Sequence, residues 1–384
     1  MRKLGEDSMP ILPGEAIGVM GGGQLGRMFA LAAKRMGYRV HVFSQSADSP
    51  AAQVSDAVTV AEFADVDAAL EFARGVKVVT FEFENIPAET LEPLTDICPV
   101  RPSPNVLHIC RHRVREKTFL SENGFPVTNF VPVNTLEELR LATQMVGFPA
   151  ILKTAAFGYD GKGQVRLQDS EAIETAWRDT QGVPGILEAF VPFEKEISVI
   201  CANNGHQVLC FPVCENKHRN HILDVTVAPA DILAKTADEA SELAIAITEK
   251  LDVIGILAVE MFLLGDGKVV VNELAPRPHN SGHSTVDASV TSQFEQQLRA
   301  VCRLPLGSPT QIAPTAMANL LGDLWEKDEP NWSALLKCPE IKLHLYGKKE
   351  PHRGRKMGHV TACSSTMEDA ERIVLEARSR LTSG

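Results

Sequence analysis

An apolar segment that leads into a glycine-rich turn and then into a helical pattern is the feature that most constrains the fold of this chain. Ala16–Met20 is apolar throughout, three glycines follow with the spacing G-x-G-x-x-G (Gly21, Gly23 and Gly26), and an amphipathic pattern covers Leu25–Met36. Two further strand patterns, "RVHVFS" and "VKVVTFEFE", flank a second helical pattern, "VDAALEFAR". Strands that alternate with helices predict βαβ units, a parallel sheet and right-handed crossovers, and therefore an α/β fold.

The composition excludes several classes of protein. The 384 residues allow two or three domains, and 44% hydrophobic with 23% charged residues is ordinary for a globular protein. The net charge of −11 argues against nucleic-acid binding, and no apolar run is long enough to cross a bilayer. The first residues lack a signal-peptide core, and the eight cysteines include no C-x-x-C pair. We therefore predict a cytoplasmic protein with reduced thiols and with neither nucleic-acid nor membrane partners.

The glycine spacing is also that of a dinucleotide-binding turn, but the second strand argues against that function. A nicotinamide site needs an acidic residue where this strand ends, to bind the ribose hydroxyls. Here Arg39–Phe43 is followed by Ser44, and Asp48 comes only after a turn-like sequence, "SQSA". The unpaired N–H groups of the following helix would still attract an anion such as a ribose phosphate, with Gln24 adding a side-chain amide. The alternative is a tight turn that binds nothing.

The rest of the chain has the pattern of a second and a third structural unit. The proline-rich "CPVRPSPN" (98–105) predicts a linker that closes the first domain. After it we predict an amphipathic helix ("TLEELRLATQMVG"), a strand ("FPAILKTA") and a glycine loop ("FGYDGKGQ"). A strand ("GILEAFV"), a hairpin around Asn204-Gly205, a helix ("ADEASELAIAITEKLDV") and a second hairpin follow. Short strands such as "IKLHLYG" and a last helix, "MEDAERIVLEARSRL", complete the chain.

The glycine loop after Lys153 has the chemistry of a phosphate site. Lys153 ends an apolar strand, and Gly158, Gly161 and Gly163 would let backbone N–H groups approach phosphate oxygens, with Lys162 adding charge. The loop lacks the G-x-x-x-x-G-K-[ST] pattern of a P-loop. The extended segment "LEAFV" (187–191) offers backbone groups that can bind an adenine edge, and the nearby acids Glu188 and Glu196 are candidate acceptors for ribose hydroxyls.

Two acids in the second hairpin give the sharper prediction. Asp266-Gly267 is a preferred two-residue turn, and counting outward from it places Glu260 opposite Glu273. Opposed residues on one face of a sheet have Cβ atoms roughly 5 Å apart, so two carboxylates there need a compensating positive charge. Hard oxygen ligands favour Mg²⁺, although pairing with Arg277 or protonation would also relieve the repulsion. A three-residue turn would instead place Asn272 opposite Glu260.

Taken together, these features resemble the ATP-grasp superfamily. Six motifs occur in the same order as in one of its families, the bacterial 5-(carboxyamino)imidazole ribonucleotide synthases of purine biosynthesis: "GGGQLGRM", "FEFENI", "GYDGKGQ", "ENKHRNHIL", "NELAPRPHNSGH" and "GRKMGH". The resemblance covers the chain from Gly18 to about Val360, whereas the residues up to Gly14 have no counterpart.

The resemblance implies a set of binding residues. ATP contacts fall on Arg113, Lys153, Gly158, Tyr159, Asp160, Gly161, Lys162, Gly163, Gln164, Glu188, Ala189, Phe190, Val191, Glu196, His218, Asn272 and Glu273. Mg²⁺, or Mn²⁺ in its place, is bound by Glu260 and Glu273. The aminoimidazole ribonucleotide contacts Gln24, Leu25, Glu82, Tyr159, Asp160 and Lys162, and a phosphate and bicarbonate clamp consists of Arg277, Lys348, Arg355 and Lys356. Lys153, Asp160, Arg277 and Lys356 are the implied catalytic residues.

The resemblance also implies an organisation and a reaction. We expect a disordered tail (1–14), a Rossmann-like domain (15–112), a lid subdomain with the glycine loop (113–187), a subdomain that binds metal and ATP (188–312) and a small mixed C-terminal domain (313–384). The expected reaction is carboxylation of 5-aminoimidazole ribonucleotide by bicarbonate, in which ATP as co-substrate yields ADP and phosphate through carboxyphosphate. Either Asp160 or Glu82 would orient the substrate amine. The resemblance further implies a homodimer.

Three other functions are weighed against this one. A formate-using glycinamide ribonucleotide transformylase shares "PRPH" but usually continues with Asp-Thr-Gly, where this chain has Asn280-Ser281-Gly282-His283. An NAD-dependent oxidoreductase is disfavoured by Ser44. A non-catalytic nucleotide-binding subunit would have little use for Lys153 and two opposed carboxylates.

Overall fold

A computed structural model describes residues 9–156 and 163–382 of the chain. Residues just before the first strand, which fall within the expected tail (1–14), are held by the folded protein. The Ile11 N–H donates to the Cys302 carbonyl at 2.9 Å, and the Tyr38 hydroxyl donates to the Ile11 carbonyl at 2.7 Å. The side chain of Ile11 also packs against an apolar cluster that includes Phe29.

The first domain is a four-stranded parallel sheet with helices, as the βαβ pattern predicted. The strand order is β3-β2-β1-β4. Its elements are β1 (Ala16–Met20), α1 (Gln24–Arg35), β2 (Arg39–Ser44), β3 (Ala57–Val60), α2 (Val66–Arg74) and β4 (Val78–Phe81), followed by α3 (Ala88–Leu91). The edge strand β3 was not predicted; it has only four residues, and both of its end residues are exposed.

The proline-rich segment at 98–105 is a connection that is partly absorbed into the fold. Val100 forms a parallel bridge to Val79, and the Ser103 hydroxyl accepts from the Val106 N–H at the start of α4 (Pro104–Cys110). A serine N-cap followed by proline at the first helical position is a strong helix start, so the helix begins inside the predicted linker. Next along the chain is α5 (Arg113–Glu122).

The lid is an antiparallel sheet of order β5-β8-β6-β7. Its elements are β5 (Phe130–Val133), α6 (Leu136–Val146), β6 (Ala150–Thr154), β7 (Gln164–Leu167), α7 (Ile173–Asp179) and β8 (Gly185–Ala189). Strand β8 runs across the expected division between 187 and 188, because it pairs on both sides with lid strands. The structural division between these subdomains therefore follows Ala189.

The remaining strands form one nine-stranded sheet of order β14-β13-β9-β11-β12-β15-β17-β16, with β10 also paired to β9. The strands are β9 (Phe193–Asn203), β10 (Val208–Cys210), β11 (Cys214–Arg219), β12 (Ile222–Ala228), β13 (Gly255–Leu264), β14 (Val269–Ala275), β15 (Thr315–Leu321), β16 (Lys342–Leu345) and β17 (Lys356–Cys363). The helices are α8 (Ala234–Lys250), α9 (Thr285–Ala288), α10 (Gln293–Val301), α11 (Trp332–Leu335) and α12 (Met367–Ser379).

The C-terminal strands extend this sheet and do not form one of their own. Val225 pairs with Ala318 where β12 meets β15, so the backbone groups at the edge of β12 are satisfied within the protein. This pairing brings β17, with Lys356 at its start, to the same side of the molecule as the hairpin acids. Within residues 9–156 and 163–382, no helix is both long enough and apolar enough to cross a membrane.

Candidate active site

A cleft of about 1020 Å³ lies where the three parts of the fold meet. The first domain contributes Gln24, Leu25 and Glu82 to its wall, the lid contributes Lys153, Gln164 and Glu188, and the large sheet contributes Glu196, His218, Glu260, Asn272 and Glu273. Arg113, Ala189, Phe190, Val191, Arg277 and Lys356 also line it. Most of the predicted site residues are thus brought together, although they span more than three hundred positions of sequence.

Glu260 and Glu273 are paired residues on β13 and β14, as predicted, but the count that led to this pairing was wrong. The turn has three residues: the Leu264 N–H donates to the Lys268 carbonyl, and Gly267 adopts φ +84°. A bulge at Asn272 then shifts the register by one residue. The extra residue in the turn and the extra residue in the bulge compensate for each other, so that Glu260 and Glu273 face each other.

Glu260 is held ionised by its neighbours. His279 Nε2 lies 2.8 Å from Glu260 Oε1. Burial alone would raise the pKa of Glu260, but the charge of His279, its hydrogen bond and the charges of His218 and Lys356 outweigh burial and bring this pKa to about 2. His279 was not among the predicted site residues, although it lies in the motif "PRPH" just after the hairpin.

Glu273 has the opposite electrostatic environment. Desolvation in the cleft wall raises its pKa, and repulsion from Glu260 and Glu84 adds to this rise, which the charges of Arg113 and Lys153 only partly offset. The pKa values of the two paired acids are therefore shifted in opposite directions, downward for Glu260 and upward for Glu273. A cation bound between them would favour the ionised form of both.

Lys153 emerges from the end of β6 as predicted, and its partner is Glu188. The ammonium lies 2.9 Å from Glu188 Oε2, and the Glu188 side chain is only 3% exposed. Burial would raise the pKa of Glu188, but the charges of Lys117 and Lys153 lower it. The lysine contacts only Oε2, and Glu188 Oε1 has no hydrogen-bond partner among the described residues, so the prediction that Glu188 accepts from ribose hydroxyls stays a prediction.

Glu196 and His218 form a second polar pair on the cleft wall. His218 Nδ1 lies 3.0 Å from Glu196 Oε2, and the two residues come from the paired strands β9 and β11. Burial lowers the pKa of His218, but the hydrogen bond and charge of Glu196 outweigh it, so the net shift is upward. Both Glu188 and Glu196 line the cleft, but Glu188 is buried whereas Glu196 has an intermediate exposure.

The backbone N–H groups of the first glycine loop bind a carboxylate of the protein itself, that of Glu82. The Gly26 N–H donates to Glu82 Oε2 at 3.0 Å, and the Gly23 N–H donates to Glu82 Oε1. A Cβ atom at Gly21 would lie 2.3 Å from Glu82 Cγ, and Gly21 has φ +119°. The glycines thus let a carboxylate that follows β4 approach the helix start. Because Glu82 already accepts from these two N–H groups, a ribose phosphate bound here would have to accept from other donors of this turn.

The predicted basic clamp is only partly assembled at the cleft. Arg277 Nε lies 2.6 Å from Glu84 Oε1, and Lys356 lines the cleft. Lys348 donates to the Lys356 carbonyl at 2.6 Å, whereas Arg355 donates to the Glu350 carbonyl at 2.7 Å. Neither Lys348 nor Arg355 is part of the cleft wall. Glu84 lies within the motif "FEFENI" but was not predicted as a site residue.

The other end of the cleft is aromatic. The rings of Phe193 and Phe262 stack with their centroids 4.6 Å apart, and the Arg166 guanidinium lies 4.0 Å from the centroid of Phe190. All four side chains line the cleft. Flat apolar surfaces of this kind suit a nucleobase. Phe193 and Phe262 were not predicted, because single aromatic residues on strands are indistinguishable from core residues in sequence. Arg166 was not predicted either, because only the fold brings it to Phe190.

The glycine loop of the lid falls mostly outside the described residues. Gly158, Tyr159, Asp160, Gly161 and Lys162 belong to that part of the chain, so their predicted roles stay predictions. The loop's end is described: Gly163 has φ +70°, its carbonyl accepts from the Thr154 N–H at 2.8 Å, and Gln164 pairs with Lys153. Arg113, at the start of α5, donates to the Thr154 carbonyl at 3.2 Å.

The donor set suits a hard divalent cation that keeps other ligands. Among the residues that the structure describes, no group of three or more His, Cys, Asp or Glu side chains is arranged to hold a metal ion. Two opposed carboxylates, Glu260 and Glu273, are nevertheless what Mg²⁺ commonly takes from a protein when phosphate oxygens and water complete its shell. The residues present therefore fit Mg²⁺ bound together with a nucleotide.

Models of three protein families match the chain in succession. The ribonucleotide synthetase preATP-grasp domain matches residues 15–111, the ATP-grasp domain matches 118–294, and the phosphoribosylaminoimidazole carboxylase C-terminal domain matches 315–373. The matched segments follow the order of the first domain, the lid with the acidic hairpin, and the C-terminal strands.

Relatives with known names cover nearly the whole chain. The N5-carboxyaminoimidazole ribonucleotide synthase of Bacillus subtilis is 44% identical over 356 residues, which is 91% of this chain and 92% of that protein. The bifunctional purine synthesis protein of Dictyostelium discoideum is 43% identical over 373 residues, which is 91% of this chain but 37% of that longer protein.

A solved structure agrees with the fold and shows what the relative binds. The N5-carboxyaminoimidazole synthase of Aspergillus clavatus, in complex with ADP and 5-aminoimidazole ribonucleotide, superposes with a TM-score of 0.89. It is 30% identical in sequence, and the match covers 96% of this chain and 99% of the other.

Proposed function

This chain belongs to the N5-carboxyaminoimidazole ribonucleotide synthases, ATP-grasp ligases of purine biosynthesis, and we propose that it carboxylates the exocyclic amine of 5-aminoimidazole ribonucleotide with bicarbonate. ATP is converted to ADP and phosphate in this reaction. One observation carries the proposal: a single cleft joins an aromatic end, a buried lysine–glutamate pair and two opposed acids to the glycine loop of the first domain.

The nucleotide is proposed to span the cleft from the aromatic end to the acids. Phe193 and Phe262 supply a stacking surface for the adenine, and the backbone of Ala189–Val191 supplies its hydrogen-bonding edge. Glu196, which is held by His218, would accept from the ribose hydroxyls. Lys153, whose ammonium is held by Glu188, would contact the phosphates.

Magnesium is proposed to bind between Glu260, Glu273 and the nucleotide phosphates. When bound, the ion supplies positive charge that neutralises the transferring phosphoryl group. Burial raises the pKa of Glu260, but the charge and hydrogen bond of His279 and the charges of His218 and Lys356 lower it overall and favour the ionised form. Desolvation raises the pKa of Glu273, the charge of Arg113 opposes this rise, and a bound cation would favour the ionised form. Asn272, from the bulge, adds an amide to this wall.

The two chemical steps are proposed to occur at the basic side of the cleft. A bicarbonate oxygen attacks the γ-phosphorus of ATP, ADP leaves, and carboxyphosphate forms. The amine nitrogen of the ribonucleotide then attacks the carboxyl carbon, or the CO₂ released from it, and phosphate leaves with the P–O bond intact. Arg277 and Lys356 are the proposed bicarbonate ligands. The amine proton passes to an acidic side chain, either Asp160 or Glu82.

The ribonucleotide is proposed to lie against α1, where Gln24 and Leu25 line the cleft beside Glu82. Its amine would meet Glu82, which accepts from two backbone N–H groups. Burial raises the pKa of Glu82, and these N–H groups and the charges of Arg277 and Lys348 only partly offset the rise. In this proposal Tyr159, Asp160 and Lys162 complete the site, and Lys348 and Arg355 lie toward the phosphate of the ribonucleotide.

The homodimer and the cytoplasmic location are likewise proposals that follow from the family.

One assay tests the function. Purified protein is supplied with MgATP, bicarbonate and 5-aminoimidazole ribonucleotide, and ADP release is measured with and without the ribonucleotide. We expect ribonucleotide-dependent ADP release. Replacing the pair of substrates by glycinamide ribonucleotide and formate should give no such release, and NAD should not be reduced. Release only with the formate pair would assign the transformylase reaction instead.

A further inference from the structure

Two adjacent residues of α5, Glu116 and Lys117, are buried although both side chains are ionisable. They are 2% and 1% exposed, respectively. Neither lines the cleft, and neither was predicted as a site residue. Lysine and glutamate are almost never this deeply buried unless a specific partner holds them.

Both side chains bind backbone groups on the outer edge of β14. Lys117 Nζ donates to the Val271 carbonyl at 3.0 Å, and Glu116 Oε2 accepts from the Leu274 N–H at 3.1 Å. The Val271 N–H also points away from β13, because it donates to the Pro126 carbonyl at 2.8 Å. Val271 and Leu274 therefore both present backbone groups to α5.

The spacing of these two residues is possible only because the strand is bulged. In a regular strand the backbone groups of alternate residues point to the same edge, so Val271 would be followed by residue 273. Here the next outward residue is Leu274, three positions on. The bulge at Asn272 supplies the extra residue, and α5 binds the strand on each side of it.

The bulge determines which side chains face the cleft. Val269 and Val271 belong to an apolar core cluster, and regular alternation would send Glu273 into that core. Because of the bulge, Leu274 enters the core in its place, and both Asn272 and Glu273 line the cleft. The position of the acid opposite Glu260 therefore depends on this local irregularity.

We propose that Glu116 and Lys117 are positioning residues that hold the β14 bulge and thereby place Asn272 and Glu273 in the cleft. This inference rests on the proposed function, since it assigns Glu273 to the metal and Asn272 to the nucleotide. The chemistry of the two side chains suits this role, because the lysine donates to a carbonyl and the carboxylate accepts from an N–H. Both backbone groups lie on the edge of β14 that faces away from β13.

The test compares Lys117→Met and Glu116→Leu with two controls. Glu116→Gln keeps an acceptor for the Leu274 N–H, and Leu120→Ala on the same helix removes core packing but leaves both contacts. The first readout is hydrogen exchange at the Leu274 amide. The second is the factor by which Mg²⁺ tightens ADP binding, measured by calorimetry with and without the metal.

We expect Lys117→Met and Glu116→Leu to reduce that factor by about tenfold or more, within the range typical of residues that orient metal ligands. Glu116→Leu should also accelerate exchange at Leu274 by at least about tenfold. Glu116→Gln should retain most of the wild-type behaviour, and Leu120→Ala should lower the melting temperature while leaving the Mg²⁺ factor within about twofold of wild type.

Two results would overturn the proposal: an unchanged Mg²⁺ factor in both disruptive variants, or slow Leu274 exchange in Glu116→Leu. If Mg²⁺ fails to tighten ADP binding even in the wild-type protein, the metal assignment of the proposed function fails. The exchange rate at Leu274 still decides whether Glu116 holds the bulge in that case.

Discussion

Glu260 faces Glu273 across β13 and β14 even though the turn that joins the strands is one residue longer than a two-residue hairpin turn. The bulge at Asn272 absorbs the additional residue. The paired acids are thus a product of turn and bulge together, and a change in either one alone would move Glu273 by one position and reverse the face to which it points.

Removing the charge of Glu273 should abolish catalysis without unfolding the protein. In Glu273→Gln we expect ribonucleotide-dependent ADP release to fall by on the order of 100-fold, because the metal loses one of its two carboxylates. Glu273→Ala should be at least as inactive, while circular dichroism shows the fold intact. Asp266→Asn, at the exposed turn of the same hairpin, is the control and should retain full activity. An active Glu273→Ala would remove the metal hypothesis.

Lys153→Met should damage both stability and ATP binding. Removing one partner of a buried ion pair costs about 3–5 kcal/mol, and we expect the lower end of that range because the charge of Lys117 also acts on Glu188. Urea unfolding measures the loss. The control is Lys268→Met, which breaks an exposed pair with Asp266 and should leave the free energy of unfolding nearly unchanged. Equal effects of the two substitutions would contradict this prediction.

The pair of Glu196 and His218 should make stability depend on pH above the ordinary histidine pKa of 6.5. The pKa of His218 is raised above its ordinary value of 6.5, so the stabilisation is fully present below pH 6.5 and is lost as pH rises through the higher folded-state pKa. Glu196→Gln removes the cause of the rise. We expect the free energy of unfolding of wild type to exceed that of the variant by more at about pH 6 than at about pH 9.

The same variant allows a direct check by NMR. The imidazole of His218 should titrate at a lower pH in Glu196→Gln than in wild type, since burial, which lowers the pKa, is then less opposed. An unchanged titration would mean that Glu196 does not control this histidine.

Truncation of Glu82 should loosen the first glycine loop. Glu82→Ala leaves the N–H groups of Gly23 and Gly26 without their acceptor, and we expect a loss of about 1–3 kcal/mol in the free energy of unfolding. Glu82→Gln keeps one acceptor oxygen and should lose less. Binding of 5-aminoimidazole ribonucleotide should weaken in both variants more than binding of ADP does; an equal loss of the two affinities would contradict the assignment of Glu82 to the ribonucleotide.

Local signals made several elements predictable from sequence. The apolar run of Ala16–Met20 and the helix after it are confirmed, as are the strand that ends near Lys153 and the amphipathic helix at Ala234–Lys250. Each depends on side-chain periodicity and on turn residues that act within a few positions. The pairing of Glu260 with Glu273 was also predicted, but through a two-residue turn that the structure does not have.

The contacts that complete the site join residues that are far apart in the chain. Glu82 reaches Gly23 from 59 positions away, and Lys117 reaches Val271 from 154 positions away. No periodicity encodes such a contact, because its partner is decided by the path of the chain. The sequence by itself thus determined the strands, the helices and the chemical types at the site. Only the tertiary structure decided which acid meets which donor, since backbone groups left open at a helix start or a sheet edge are satisfied by whatever polar side chain packing brings to them.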